Sequence, residues 1–187
     1  MGAVMPAAPV VAPPAADDMT GSVGFGVGVS AGTSLVVPNT TSVMMKYWMS
    51  DAMSLLPRLS LTMEKIKDGG DTAWTFEPAV LANFVLLKGA STRFDAGLGL
   101  GLSLAKNTTP QYTGATGSAF VGDPTATYIG LFIPVQLGVE HFFTRWFSMG
   151  IAAGFNLVGF QKQGDPYQFD LEISNVRYMG SLFFYTD

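Results

Sequence analysis

The sequence predicts an all-β fold, an eight-stranded antiparallel up-and-down transmembrane β-barrel. Three observations carry this reading. Charged residues make up only 13% of the 187, about half of the roughly 25% usual for soluble domains, and the mean hydropathy is +0.32. No stretch reaches the ~18 uninterrupted apolar residues of a membrane helix; the best candidates, 78–87 and 146–160, are short and broken by Asn83 and Asn156. Apolar residues instead alternate with small or polar ones at period 2, the signature of a strand with two unlike faces. In lipid only helices and closed barrels satisfy every backbone group, so a greasy chain without spanning helices points to a barrel.

The elements follow in order. Residues 3–18, AVMPAAPVVAPPAADD, are rich in Ala and Pro and read as a stiff extended tether, so 1–19 is set apart from the barrel at 20–187. The first strand is expected at 23–31, with Val23, Phe25, Val27 and Val29 opposite Gly24, Gly26, Gly28 and Ser30. The second spans 42–49. In the third, 54–65, Leu55, Pro57, Leu59, Leu61 and Met63 oppose Leu56, Arg58, Ser60, Thr62 and Glu64. The fourth, 73–87, sets Trp74, Phe76, Val80, Ala82, Phe84 and Leu86 against Thr75, Glu77, Ala79 and Asn83.

The fifth strand, 93–105, reads RFDAGLGLGLSLA, an apolar face backed by almost no side chain. If the leucines face lipid, Gly and Ser face a narrow interior crowded by larger residues of other strands; at eight strands such an interior is just wide enough for side chains to fill. The sixth, 126–142, places Ile129, Leu131, Ile133, Val135, Leu137 and Val139 opposite Tyr128, Gly130, Gln136, Gly138 and Glu140. The seventh runs over 146–161. The eighth, 167–185, changes phase between Ile173 and Val176, which predicts a one-residue bulge near Ser174 and Asn175.

Connections and aromatic rings supply independent signals. Tight turns at 50–53, 89–93 and 143–146 alternate with longer segments at 31–41, 66–72 and 106–125 and a shorter one at 162–166, the pattern of short periplasmic turns and long external loops. Both termini are then expected on the periplasmic side. Tyr47, Trp48, Phe94, Phe142, Phe143, Trp146, Phe147, Phe184 and Tyr185 gather at the short-turn end, and Trp74, Phe76, Tyr128, Phe160, Tyr167 and Phe169 at the other. They predict two interfacial girdles around an aliphatic belt.

The hairpins MMKYWMSDAMSLLPRLSL (44–61) and GVEHFFTRWFSMGIAAGF (138–155) resemble small bacterial outer-membrane β-barrels of the OmpA/OmpX/OmpW type: an aromatic-rich strand end, a Ser/Thr-Asp-like turn, then a new alternating strand. The resemblance covers about 20–187. It implies an outer-membrane location in contact with lipid and lipopolysaccharide. Pro57, Pro78 and Pro134 depart from the pattern, since each removes a ladder donor and a closed barrel has no edge to hide it on. Each is expected at a bulge or a rim.

The chemistry-bearing residues point inward. Lys46, Arg58 and Arg177 share the non-lipid face with Glu64, Glu77, Asp95, Glu140 and Glu172, and two signs in one narrow lumen predict a hydrogen-bonded ion network. No catalytic, cofactor or metal site is expected. Cysteine is absent, and His141, the one histidine, has Glu140 on the opposite face and no His-x-Ser pattern beside it. GFGVG at 24–28 is not a nucleotide fingerprint, because no helix pattern follows. The net charge of −4 argues against nucleic acid as a partner. The polar 106–125 segment, with Tyr112 and Phe120, is the candidate loop for an envelope protein partner, as is the tether. The expected function is a non-enzymatic structural or anchoring component of the envelope. One alternative is an OmpW-like route for small apolar molecules through a lateral opening at the prolines; another is a soluble lipocalin-like barrel.

Overall fold

A computed structural model describes residues 18–32, 40–65, 72–106, 127–162, 172–173 and 176–186. The strands are β1 (Val23–Gly32), β2 (Thr40–Ser50), β3 (Met53–Lys65), β4 (Thr72–Lys88), β5 (Thr92–Lys106), β6 (Thr127–Thr144), β7 (Phe147–Lys162), the short β8 (Glu172–Ile173) and β9 (Arg177–Thr186). Every pairing is antiparallel between chain neighbours, and β9 closes the ring by pairing with both β7 and β1. β8 continues the eighth staff along β7. The result is a closed eight-strand up-and-down barrel, with no helix among the described residues.

Between the Gly154–Arg177 and Leu157–Ile173 pairs, β7 contributes two positions, 155 and 156, and the eighth staff three, 174–176. The register therefore slips by one residue where the sequence phase changes; Ser174 and Asn175 themselves lie outside the described residues. The tight turns sit at residues 51–52, 89–91 and 145–146. Register irregularities at Trp48/Ser50, Val85/Leu87 and Phe142/Thr144 precede all three. A bulge there adds local twist and re-aims the last side chains before the chain reverses.

The prolines are accommodated at neither a bulge nor a rim. The β2–β3 ladder runs from Met44–Arg58 to Tyr47–Leu55, skipping Met45–Pro57 and the adjoining Lys46–Leu56 pair. The β4–β5 ladder skips from Phe76–Leu104 to Ala79–Gly101 around Pro78, and the β5–β6 ladder from Leu98–Val135 to Gly101–Phe132 around Pro134. The register is the same on both sides of each gap. On its other side each proline remains paired, with Val80, Leu59 and Asn156 respectively. A missing N–H thus opens one ladder locally and leaves the opposite one intact.

The two faces of the wall are inverted relative to a soluble barrel. Leu98, Leu100, Leu131, Leu137, Ile151 and Phe184 project outward and are exposed, while Lys46, Glu77, Arg93, Asp95, Gln136, Glu140 and Asn156 are buried. The lipocalin-like alternative requires the reverse and is overturned. The inward glycines serve close packing: a Cβ on Gly101 would overlap the Phe132 ring, and one on Gly24 the Tyr185 ring. Met19 is also buried with the core residues, and Gly21 N–H donates to the Trp48 carbonyl at 2.8 Å. Among the described residues, packing against the barrel thus includes Met19, which lies within the 1–19 segment expected as tether. Just before it, the exposed Asp18 carboxylate accepts hydrogen bonds from the Thr20 hydroxyl and, at 3.0 Å, the Thr20 amide. These hold it below its ordinary range.

Adjacent residues on the two faces should fail for opposite reasons. Leu100 is 72% exposed, so Leu100→Arg should cost about 2–4 kcal/mol at mid-depth in a bilayer. Its neighbour Gly101 faces Phe132, so Gly101→Val should cost about 1–3 kcal/mol by overpacking. Only the second loss should be relieved by adding Phe132→Ala. Urea unfolding in lipid vesicles, read by heat-modifiable electrophoretic mobility, measures both.

Candidate functional site: the filled lumen

The alternation that turns leucines outward delivers the polar side chains of alternate positions to the barrel axis. They form two clusters. At the short-turn end, Lys46 Nζ donates to Glu140 Oε2 at 2.5 Å and lies 3.8 Å from Asp95 Oδ2. Glu140 Oε1 accepts from Ser148 Oγ and Tyr185 Oη, both at 2.5 Å. Four strands, β2, β6, β7 and β9, thus meet on one carboxylate. The Lys46 ammonium also lies over the Trp48 ring, 4.6 Å from its centroid.

Arg93 occupies the other face of this cluster. Its guanidinium lies 4.3 Å from the Trp48 centroid and 5.4 Å from that of Phe142. Nη2 donates to Asp51 Oδ1 at 2.7 Å, and Lys88 holds the second Asp51 oxygen at 2.5 Å. Trp48 and Arg93 are both 0% exposed. Carboxylates and cations this deep are tolerable only because each has a partner of opposite sign or a ring face.

Met44, Leu56 and Leu81 are buried between this cluster and the second. In the second, Arg177 Nη1 donates to Glu77 Oε2 at 3.0 Å and Ser103 Oγ to Glu77 Oε1 at 3.5 Å. Hydroxyl pairs Ser42–Ser60 at 2.8 Å and Thr40–Thr62 at 2.7 Å tie β2 to β3. Gln136 Nε2 donates to Asn83 Oδ1 at 3.2 Å.

Lys46, Asp95 and Glu140 come together, and Glu77 meets Arg177. Arg58 shares their face but reaches no carboxylate among the described residues: its Nη1 lies 3.9 Å from Met179 Sδ. The side chains of Glu64 and Glu172, and the residues Tyr167, Tyr112 and Phe120, lie outside those described. Of the expected girdle, Tyr47, Trp146 and Phe184 are exposed on the outside, and Phe147 stacks between Phe143 and Phe184 at 5.6 and 5.1 Å. Phe94 and Trp74 are half-buried.

Phe142 departs from the expectation. It is 3% exposed and points into the lumen, as do Trp48 and Tyr185, because each shares the parity of an inward polar residue: Glu140 for Phe142, Lys46 for Trp48, Ser181 for Tyr185. Arg93, read as the end of a turn, is an inward strand residue two positions before Asp95. His141 is exposed, with Nδ1 2.8 Å from Thr92 Oγ1 and its ring edge-on to Phe143.

No protein-family model matches the chain, and no curated protein matches it in sequence. Solved structures do match in shape. The N-terminal β-barrel domain of Pseudomonas aeruginosa OprF is 11% identical with a TM-score of 0.62, over 89% of this chain and 98% of that one. Neisserial surface protein A, NspA, is 12% identical at 0.56, over 87% and 95%. The outer membrane protein OprG from Pseudomonas aeruginosa is 9% identical at 0.54, over 89% and 96%. The chain has the fold of the small outer-membrane β-barrels. At these identities the agreement is one of fold alone.

Glu140 and Asp95 depend on one cation, Lys46. Lys46→Met should destabilise the barrel by about 3–5 kcal/mol, because it strands Glu140 and Asp95 in the interior. Adding Glu140→Gln and Asp95→Asn should recover most of the loss. Equal unfolding midpoints for the single and triple variants in a urea titration would refute the pairing.

Proposed function

We propose that the chain is a non-enzymatic outer-membrane barrel, a structural or anchoring component of a bacterial envelope. The filled lumen carries this reading. Side chains from β2, β5, β6, β7 and β9 meet across the short-turn end, and the groups there are held by ion pairs, hydroxyls and ring faces. A bore occupied by a buried Trp48, Arg93 and Phe142 suits a plug better than a conduit. The outward apolar belt and the likeness in fold to a barrel named for the outer membrane, OprG, support the location.

In this reading Tyr47, Phe94, Trp146, Phe147 and Phe184 form the girdle at one interface, with Trp74 at the other. β1 begins and β9 ends at the short-turn end, which we assign to the periplasm. The 106–125 segment, with Tyr112 and Phe120, and the Ala/Pro tether are the parts offered to envelope partners, and lipid and lipopolysaccharide surround the wall.

A second reading, passage of small apolar molecules through the wall, draws on the ladder gaps at Pro57, Pro78 and Pro134. The two readings part in one experiment. The purified protein in planar bilayers should give no discrete conductance steps, and proteoliposomes should take up an apolar fluorophore no faster than empty vesicles. Faster uptake, abolished by replacing Pro134 with Val to restore a ladder donor, would favour the second.

A further inference from the structure

Residues 18–22 form a short strap at the short-turn end. We propose that this strap is a reversible lid on that mouth of the barrel, controlling the access of water to the ion cluster behind it. Its shape is set by a reverse turn. Ser22 N–H donates to the Met19 carbonyl at 2.9 Å, and Gly21, third of the four turn residues, has a φ of 86°, the position at which type II turns take glycine. The turn is fastened to the end of β2: Gly21 N–H donates to the Trp48 carbonyl at 2.8 Å, and Trp48 N–H to the Ser22 carbonyl at 3.0 Å. The reversal takes the chain off the line of β1 and buries Met19, 5% exposed, in the core cluster that holds Trp48, Phe142 and Tyr185. Met19 is the one described member of that cluster that lies outside the strands.

The strap also reaches across the mouth. Asp18, tied to the Thr20 hydroxyl and amide, is held below its ordinary range first by those bonds and then by the charges of Lys88 and Arg93. These two belong to β4 and β5, and β5 stands opposite β1 in the ring. What lies behind the strap is the floor of the lumen, where Lys46 and Arg93 both face the Trp48 ring. A lid must also come away without the wall. Asp18, Thr20 and Gly21 are exposed, so Met19 is the strap's one buried side chain, and a segment so lightly packed opens at less cost than paired strands do. The lid follows from the geometry of this mouth and does not rest on the envelope role.

Trp48 reports the state of the lid. In the full chain carrying Trp74→Phe and Trp146→Phe it is the only remaining indole, and in detergent its fluorescence should be poorly quenched by acrylamide. Met19→Gly removes the buried side chain, and Gly21→Val strains the turn at a place where a Cβ meets nothing. Each should raise the quenching constant several-fold and leave the heat-modifiable mobility unchanged, while Met19→Leu should behave as the parent. A Trp48 equally shielded in both variants would overturn the proposal. So would quenching that rises only together with loss of the heat-modifiable form, which marks a piece of the wall and not a lid. If neither variant folds, amide exchange of the wild-type protein decides: Gly21 and Trp48 should exchange together and ahead of the centre of β2, and exchange at the rate of global unfolding rules the lid out.

Discussion

Closure of the ladder is the constraint from which the rest follows. Once eight strands pair all the way round, the backbone bonds within the wall everywhere but at the gaps beside three prolines, and the interior has a fixed, narrow bore. Everything that points inward must then fit that bore and neutralise itself there. The glycines of β1 and β5 are the steric half of the solution, because the rings of Tyr185 and Phe132 occupy the space where a Cβ would stand. The meeting of Lys46, Ser148 and Tyr185 on Glu140 is the electrostatic half.

The wall was legible in the sequence because its two faces differ so strongly. Alternation in β5 and β6 located strands and faces together, and the phase change in the last staff marked a one-residue slip that the register of β7 with β8 and β9 reproduces. The lumen was less legible, for a definable reason. The position of an aromatic residue along a strand gives its height and says nothing about its side. Parity does: Phe142 lies two residues from Glu140, Trp48 two from Lys46, and Arg93 two from Asp95. Partners were harder still, since strands distant in sequence supply them. Arg58 lies on the face expected for it, yet no alternation rule reveals that Arg177 takes the carboxylate of Glu77.

The prolines show how a closed sheet tolerates a missing donor. An antiparallel strand alternates its hydrogen bonds between left and right neighbours, so one proline weakens one seam and leaves the other whole. Pro78 and Pro134 both direct their gaps at β5, at Leu102–Ser103 on one side and Gly99–Leu100 on the other. The centre of β5 therefore has fewer ladder bonds than its ends. Steric fit takes over there, with the Phe132 ring lying over Gly101.

The seam between β1 and β9 has a consequence in time. These strands share ten residue pairs, from Val23–Thr186 to Gly32–Arg177, and more than 140 residues of chain separate them. While the intervening strands pair neighbour to neighbour, β1 waits with an open edge able to recruit any passing strand. Contacts so far apart in sequence form late and slowly. The final staff is thus both the last piece and the latch, and until it arrives the unpaired edge of β1 is the cylinder's exposed liability.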